Sequence, residues 1–157
     1  MEIIYDHGTP HQYRFRENDG NLSAVKVFPK EHIQINACYP NGKTGLVAEF
    51  ENGLVHGSFI IYYPNGQAAL IGQYAKGYKN GQETFFYTNG KTSAMRGFSN
   101  DELHGAMEYY YENGQKAYEG NYYYGLAHGD FKKYDKSGKL IHKVSMYYDR
   151  CTADERY

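Results

Sequence analysis

Five glycines, Gly42, Gly66, Gly90, Gly114 and Gly138, stand 24 residues apart with no insertion between them. Gly57, Gly81, Gly105 and Gly129 keep the same interval, as do Tyr62, Phe86, Tyr110 and Tyr134, and Phe50, Tyr74, Phe98 and Tyr122, with Met146 next. A further series, Tyr39, Tyr63, Tyr87 and Tyr111, stops at Asp135. Series in step over that length mean a tandem structural repeat, whose units bury their apolar faces only against one another.

Each unit holds two turn signals. The first is Pro64-Asn65-Gly66, matched by Thr88-Asn89-Gly90, Glu112-Asn113-Gly114 and Lys136-Ser137-Gly138. Asn-Gly between apolar runs is a strong hairpin signal. The second is Ala75 to Gly81, repeated as Tyr123 to Gly129. The intervening stretches have strand length and leave no room for a helix. The composition agrees: 19 Tyr, 8 Phe and 18 Gly suit pleated sheet and tight turns. The fold class is therefore all-β, an elongated antiparallel meander of successive β-hairpins forming a twisted, solenoid-like sheet. Residues 33–146 hold the repeats, 1–32 an N-terminal cap or degenerate repeat, and 147–157 a polar C-terminal capping tail.

Pro64 suits position i+1 of a type I turn, and Gly66 then takes a left-handed bulge position. That pairs Tyr63 with Gln67 and Tyr62 with Ala68. Carried onward, this register gathers Tyr62, Ile60, Leu70, Gly72, Tyr74, Phe86, Phe98, Tyr110, Tyr118, Gly120 and Tyr122 on one face, expected to be the core. Ala48, Gly72 and Gly120 would leave room for rings. The other face would carry Phe59, Ile61, Tyr63, Phe85, Tyr87, Met107, Tyr109 and Tyr111 with Gln73, Glu83 and Glu119. Either the array curls and buries part of this aromatic second face, or the face serves a partner.

The chain has 157 residues and a formal net charge of −1, which excludes a polyanion binder driven by bulk charge. The N-terminus lacks a basic, apolar leader, and no run approaches the ~20 apolar residues of a membrane helix, so a cytoplasmic location is expected. Lysines from Lys132 to Lys143 guard the last hairpin against strand addition. Cys38 and Cys151 lie near opposite ends of the array, on the order of 40 Å apart by strand spacing, and are expected as free thiols.

No catalytic or phosphate-binding signature is present. His56, His104 and His128 share one repeat position, but equivalent residues lie about 9–10 Å apart, too far for two imidazoles to share a metal unaided. Hydrogen bonding to their own backbone accounts for them. His7, His11, His32 and His142 show no ligand spacing. Glu108, Glu112 and Glu119, with Asp101 and Glu102, make the third unit acidic, a strip that fits a charged rim better than a hydrolase pair. The sequence thus calls for no catalytic residue, no metal and no cofactor.

The unit Tyr-Tyr-Pro-Asn-Gly-Gln … Gly-Gln-Tyr-x-x-Gly-x-x-x-Gly resembles the MORN variant repeat, in the form found in bacterial YwqK-family antitoxins. The Tyr-x-Asn-Gly-Lys/Gln turn and the downstream Gly-x-x-His/Asn-Gly loop carry the likeness over residues 34–146. The resemblance implies a non-enzymatic protein-binding repeat protein of antitoxin or immunity type, with a partner protein that could be a toxin. The candidate contacts are Ile61, Tyr63, Phe85, Tyr87, Met107, Tyr109 and Tyr111, with Glu108, Glu112 and Glu119 as the charged rim. The alternative is a scaffold or self-associating module, homodimeric or peripheral to a membrane.

Overall fold

The computed structural model describes residues 2–6, 9–16, 20–27 and 32–157. Strands β1 (Glu2–Asp6), β2 (Thr9–Arg14) and β3 (Lys26–Val27) form a small antiparallel sheet. A long antiparallel sheet follows, beginning with β4 (Ile33–Cys38), β5 (Thr44–Glu51), β6 (Leu54–Tyr62) and β7 (Ala68–Ala75). Next, β8 (Tyr78–Lys79) and β9 (Gly81–Phe86) are two halves of one strand, both paired with β7. Then come β10 (Thr92–Ser99), β11 (Glu102–Tyr110) and β12 (Lys116–Tyr123). β13 (Leu126–Ala127) and β14 (Gly129–Tyr134) again share one partner, β12. β15 (Leu140–Tyr147) and β16 (Arg150–Arg156) complete the sheet. Neighbours in the sheet are neighbours in sequence, so the fold is an open meander of hairpins. Within the C-terminal capping segment 147–157, Arg150–Arg156 form the edge strand β16, whose Arg150, Asp154, Glu155 and Arg156 discourage further strand addition.

The Pro-Asn-Gly turn forms as its chemistry dictates. Gly66 N–H donates to the Tyr63 carbonyl (2.8 Å), Tyr63 N–H to the Gln67 carbonyl (2.8 Å), and Gly66 sits at φ +93°. The Asn65 side-chain oxygen accepts the Gln67 amide at 3.0 Å, the local bond that favours Asn there. Its amide also donates to the Thr88 carbonyl of the next turn (3.0 Å). The Tyr before the turn has its own task. The hydroxyls of Tyr39, Tyr63, Tyr87 and Tyr111 donate to the carbonyls of Tyr62, Phe86, Tyr110 and Tyr134, at 2.6 to 2.8 Å. These bonds staple each hairpin to the next. The series stops at Asp135, which instead caps its own turn, accepting from the Ser137 and Lys139 amides.

The second turn is tighter than the seven-residue loop read from the sequence. Asn52-Gly53, Lys76-Gly77, Asn100-Asp101, Tyr124-Gly125 and Tyr148-Asp149 all have both residues at positive φ, the two-residue I′ hairpin turn. Beyond it the strand bulges at the His/Asn-Gly step, where Phe50 pairs with Val55 but Ala48 with Phe59.

One expectation about the faces is overturned. Tyr62 pairs with Ala68, as the turn requires, but Ile61 pairs with Leu70, so Ala69 is an extra residue. The same one-residue bulge recurs at Gly45, Ser93, Ala117 and Ile141. A one-residue offset moves every later partner to the other face. Ile60, Tyr62, Phe86 and Tyr110 therefore leave the expected core face. Phe59, Ile61, Phe85, Met107 and Tyr109 join Leu70, Gly72, Tyr74, Tyr118, Gly120 and Tyr122 there.

One cross-strand row on this face reads Ile35, Ala48, Phe59, Gly72, Glu83, Arg96, Met107, Gly120, Phe131, Val144. Large residues alternate with small ones until Glu83 and Arg96 interrupt. The apolar core divides there. One cluster holds Ile35, Ala48 and Phe50; the other holds Met107, Ala127 and Phe131. The close approach at Gly120 is strict, since a Cβ would lie 2.3 Å from the Phe131 ring. The first cluster is covered by Tyr13 and Phe15, at the end of β2, whose rings meet edge to face at 5.9 Å.

Candidate protein-binding face

The core face has three zones along the array. In the first, Tyr13 and Phe15 lie over Ile35, Ala48 and Phe50. In the second, Glu83 is 3% exposed and takes two cations, Lys79 Nζ at 2.6 Å and Arg96 Nη2 at 2.7 Å. The Arg96 guanidinium also lies 4.6 Å from the centre of the Phe85 ring, a cation–π contact. A buried carboxylate needs such partners. This cluster is invisible to composition; its signal is that Glu83 and Arg96 break the large–small alternation of their row.

In the third zone the second apolar cluster lies open. Tyr118 and Tyr122 flank Phe131, with ring centres 6.1 and 5.4 Å away. With Ala127, Val144 and Met146 they line a cleft of about 270 Å³, which Lys133 and His142 also border. Burial pushes the Tyr118 and Tyr122 hydroxyls up from their ordinary pKa, which keeps them neutral donors. Tyr109, 6.3 Å from Tyr118, continues the trough into a second cleft of about 340 Å³ lined by Phe85, Tyr87, Ala94 and Arg96. The trough runs across β9 to β15 and mixes aromatic walls with a few polar groups, the make-up of a recognition surface.

The ten candidate contacts do not share one surface. Ile61, Phe85, Met107 and Tyr109 are on the core face, and Met107 is buried within the second cluster. Tyr63, Tyr87 and Tyr111 stand at the turn end, their hydroxyls committed to the inter-repeat staples. Glu112 is exposed in the turn that follows Tyr111. Glu108 and Glu119 are on the opposite face, cross-strand partners bridged by Lys116 at 2.8 and 2.7 Å. Tyr110 donates to Glu108, and Tyr134 to Glu119 at 2.7 Å. These bonds hold both carboxyls below their usual pKa, the Lys116 ammonium being the first cause for each. Lys116 is correspondingly raised, by Glu108 first and Glu119 second. Glu108 and Glu119 are thus neutralised within the chain, while Glu112 stays exposed. Tyr118, Tyr122, Phe131, Val144 and Met146 line the cleft without being among the candidate contacts, since the face holding Tyr118 and Tyr122 is expected from the sequence to be core.

His56 Nδ1 faces the Lys76 amide in the next turn at 3.4 Å, a bond to a neighbouring loop rather than to its own. Cys38 and Cys151 are free and exposed. Among the described residues no group of three or more His, Cys, Asp or Glu is placed to hold a metal; His7 lies outside them. Nor is any helix there long and apolar enough to cross a membrane.

The MORN repeat variant matches residues 55–76, 103–122 and 127–148. Along the open antiparallel meander, these three matches show similarity to the hairpin units of MORN-type repeats. The second and third matched segments cover β14, β15, all but the first residue of β11 and all but the last residue of β12, and the Glu83–Arg96 pair lies between the first two. Repeats of this type are generally protein- or membrane-binding modules and form a non-catalytic family. No curated protein matches the chain.

Proposed function

We propose that the chain is a non-enzymatic interaction module that seats a partner protein in the apolar trough of β12, β14 and β15. The observation that carries this reading is the uneven cover of one continuous face. Its first end is roofed by the chain's own Tyr13 and Phe15, while Tyr118, Tyr122, Val144 and Met146 have no such roof among the described residues. A contiguous apolar surface of that kind marks an interaction site. Tyrosine suits it, with large area, few rotatable bonds and one polar handle.

Within that reading the partner is one whose activity the complex suppresses, so that the protein serves as an antitoxin or immunity-type factor. The resemblance of the repeat unit to the YwqK-type form supports this narrower role. The test is purification of tagged wild type and a Tyr118→Ala variant from native cells, with mass spectrometry of what co-purifies. One stoichiometric partner is expected with wild type, bound about 30-fold more weakly by the variant, in line with a hot-spot side chain. The same partner should be harmful when produced without the protein. Recovery of the bait alone, eluting as a defined oligomer, would replace this reading with self-assembly.

A further inference from the structure

The I′ turns of the last two hairpins carry a second aromatic surface, away from the trough. Tyr123, Tyr124, Tyr147 and Tyr148 are 48%, 53%, 58% and 41% exposed. They stack into one array, with ring centres 4.8 Å apart within each pair and 6.1 Å apart from Tyr123 to Tyr148. His104 backs the first pair, 4.6 Å from Tyr124, and His128 the second, 4.8 Å from Tyr148. The corresponding positions of earlier hairpins hold Glu51-Asn52, Ala75-Lys76 and Ser99-Asn100, so the array is confined to one corner.

Tyr124 and Tyr148 both sit at φ +47°, where Asn52, Lys76 and Asn100 stand in the other units. Asn tolerates that left-handed conformation and a bulky aromatic does not, so folding alone gives no reason for Tyr there. None of the four hydroxyls makes a hydrogen bond among the described residues, whereas the staple hydroxyls of Tyr39, Tyr63, Tyr87 and Tyr111 are all used. The array therefore offers flat rings and free donors.

Its spacing selects an occupant. Equivalent residues of successive hairpins are two strands apart, about 9.4–9.8 Å. A polyproline II helix repeats every three residues at about 3.1 Å each, or roughly 9.3 Å per turn. Such a helix lying across the strands would place residues i and i+3 over successive tyrosine pairs. Its carbonyls have no internal partner and accept bonds from hydroxyls, and proline rings pack on aromatic ridges. We propose that this array docks a proline-rich segment with prolines three residues apart. Asp101, Glu102 and Asp149 outweigh Arg150 in the adjoining turns, which favours a Lys or Arg beside the prolines and disfavours an anionic lipid surface.

The test is calorimetric titration of the full chain with a twelve-residue peptide carrying Pro-x-x-Pro-x-x-Pro and a flanking Arg. A control peptide has the same composition with prolines four apart. The first peptide should bind at least tenfold more tightly than the second. Tyr124→Asn and Tyr148→Asn should each remove most of that binding while keeping or raising the Tm, because Asn already occupies this turn position at Asn52 and Asn100. Tyr118→Ala, in the trough, should leave peptide binding unchanged, so the two surfaces stand or fall separately. Equal binding of both peptides, binding unaffected by the Asn variants, or no binding at millimolar peptide would overturn the proposal. Array-dependent binding to phosphatidylserine vesicles without peptide binding would assign the surface to a membrane instead.

Discussion

Phe50→Ala is expected to cost about 3–5 kcal/mol of stability, the range for emptying a fully buried aromatic site. Phe50 is 1% exposed, paired with Ile33 and Val55, and lies in the cluster roofed by Tyr13 and Phe15. Repeat arrays gain stability from each unit and its neighbour interfaces, so the loss should be local. Urea unfolding followed by hydrogen exchange should show β4 to β6 opening early while β11 to β15 keep their protection. A loss below about 1 kcal/mol would mean that this cluster is not a core.

The second large effect concerns Glu83. Glu83→Ala should destabilise by about 3 kcal/mol, the lower end for breaking a buried ion pair. The lower end applies because Lys79 and Arg96 keep about a third of their side chains exposed and can turn toward water. The row suggests the remedy. Phe59 faces Gly72, and Met107 faces Gly120, at the positions where Glu83 faces Arg96. The double variant Glu83→Phe with Arg96→Gly restores that pattern and should recover most of the loss, since apolar replacements of buried ion pairs are often neutral or better. Chemical denaturation of both variants is the check. A double variant as unstable as Glu83→Ala would show that the Phe–Gly packing does not transfer between units.

Much of this architecture is legible in the sequence, because its signals are local and repeated. Gly66 and Asn65 specify their turn through φ and a side-chain bond between adjacent residues. Tyr63 announces its own importance by recurrence, although its partner, the Phe86 carbonyl, lies a whole repeat away. The faces were not legible, and the reason is physical. A one-residue bulge reverses the facing of everything beyond it, yet needs only that one residue fit without a partner. The residues there, Gly45, Ala69, Ser93, Ala117 and Ile141, are small in four of five units. That faint run of small side chains was the available signal. Without it Met107 reads as a contact residue and Phe131 goes unnoticed, whereas both are buried in one cluster. The Glu108–Lys116–Glu119 network was likewise hidden, since Glu108 and Glu119 meet only across β11 and β12.

The bulge also gives the two faces separate tasks. It directs Tyr118, Phe131 and Val144 to the open trough, and Glu108, Lys116 and Glu119 to a self-neutralising polar surface behind it. A partner that buries apolar area therefore has one side to choose. Hydrogen–deuterium exchange of the protein with and without its co-purified partner tests this most directly. Protection is expected in β12, β14 and β15, residues 116–123 and 129–147, with β4 to β7 unchanged. Protection confined to β4 to β7, or to the β16 edge alone, would contradict the trough as the binding surface.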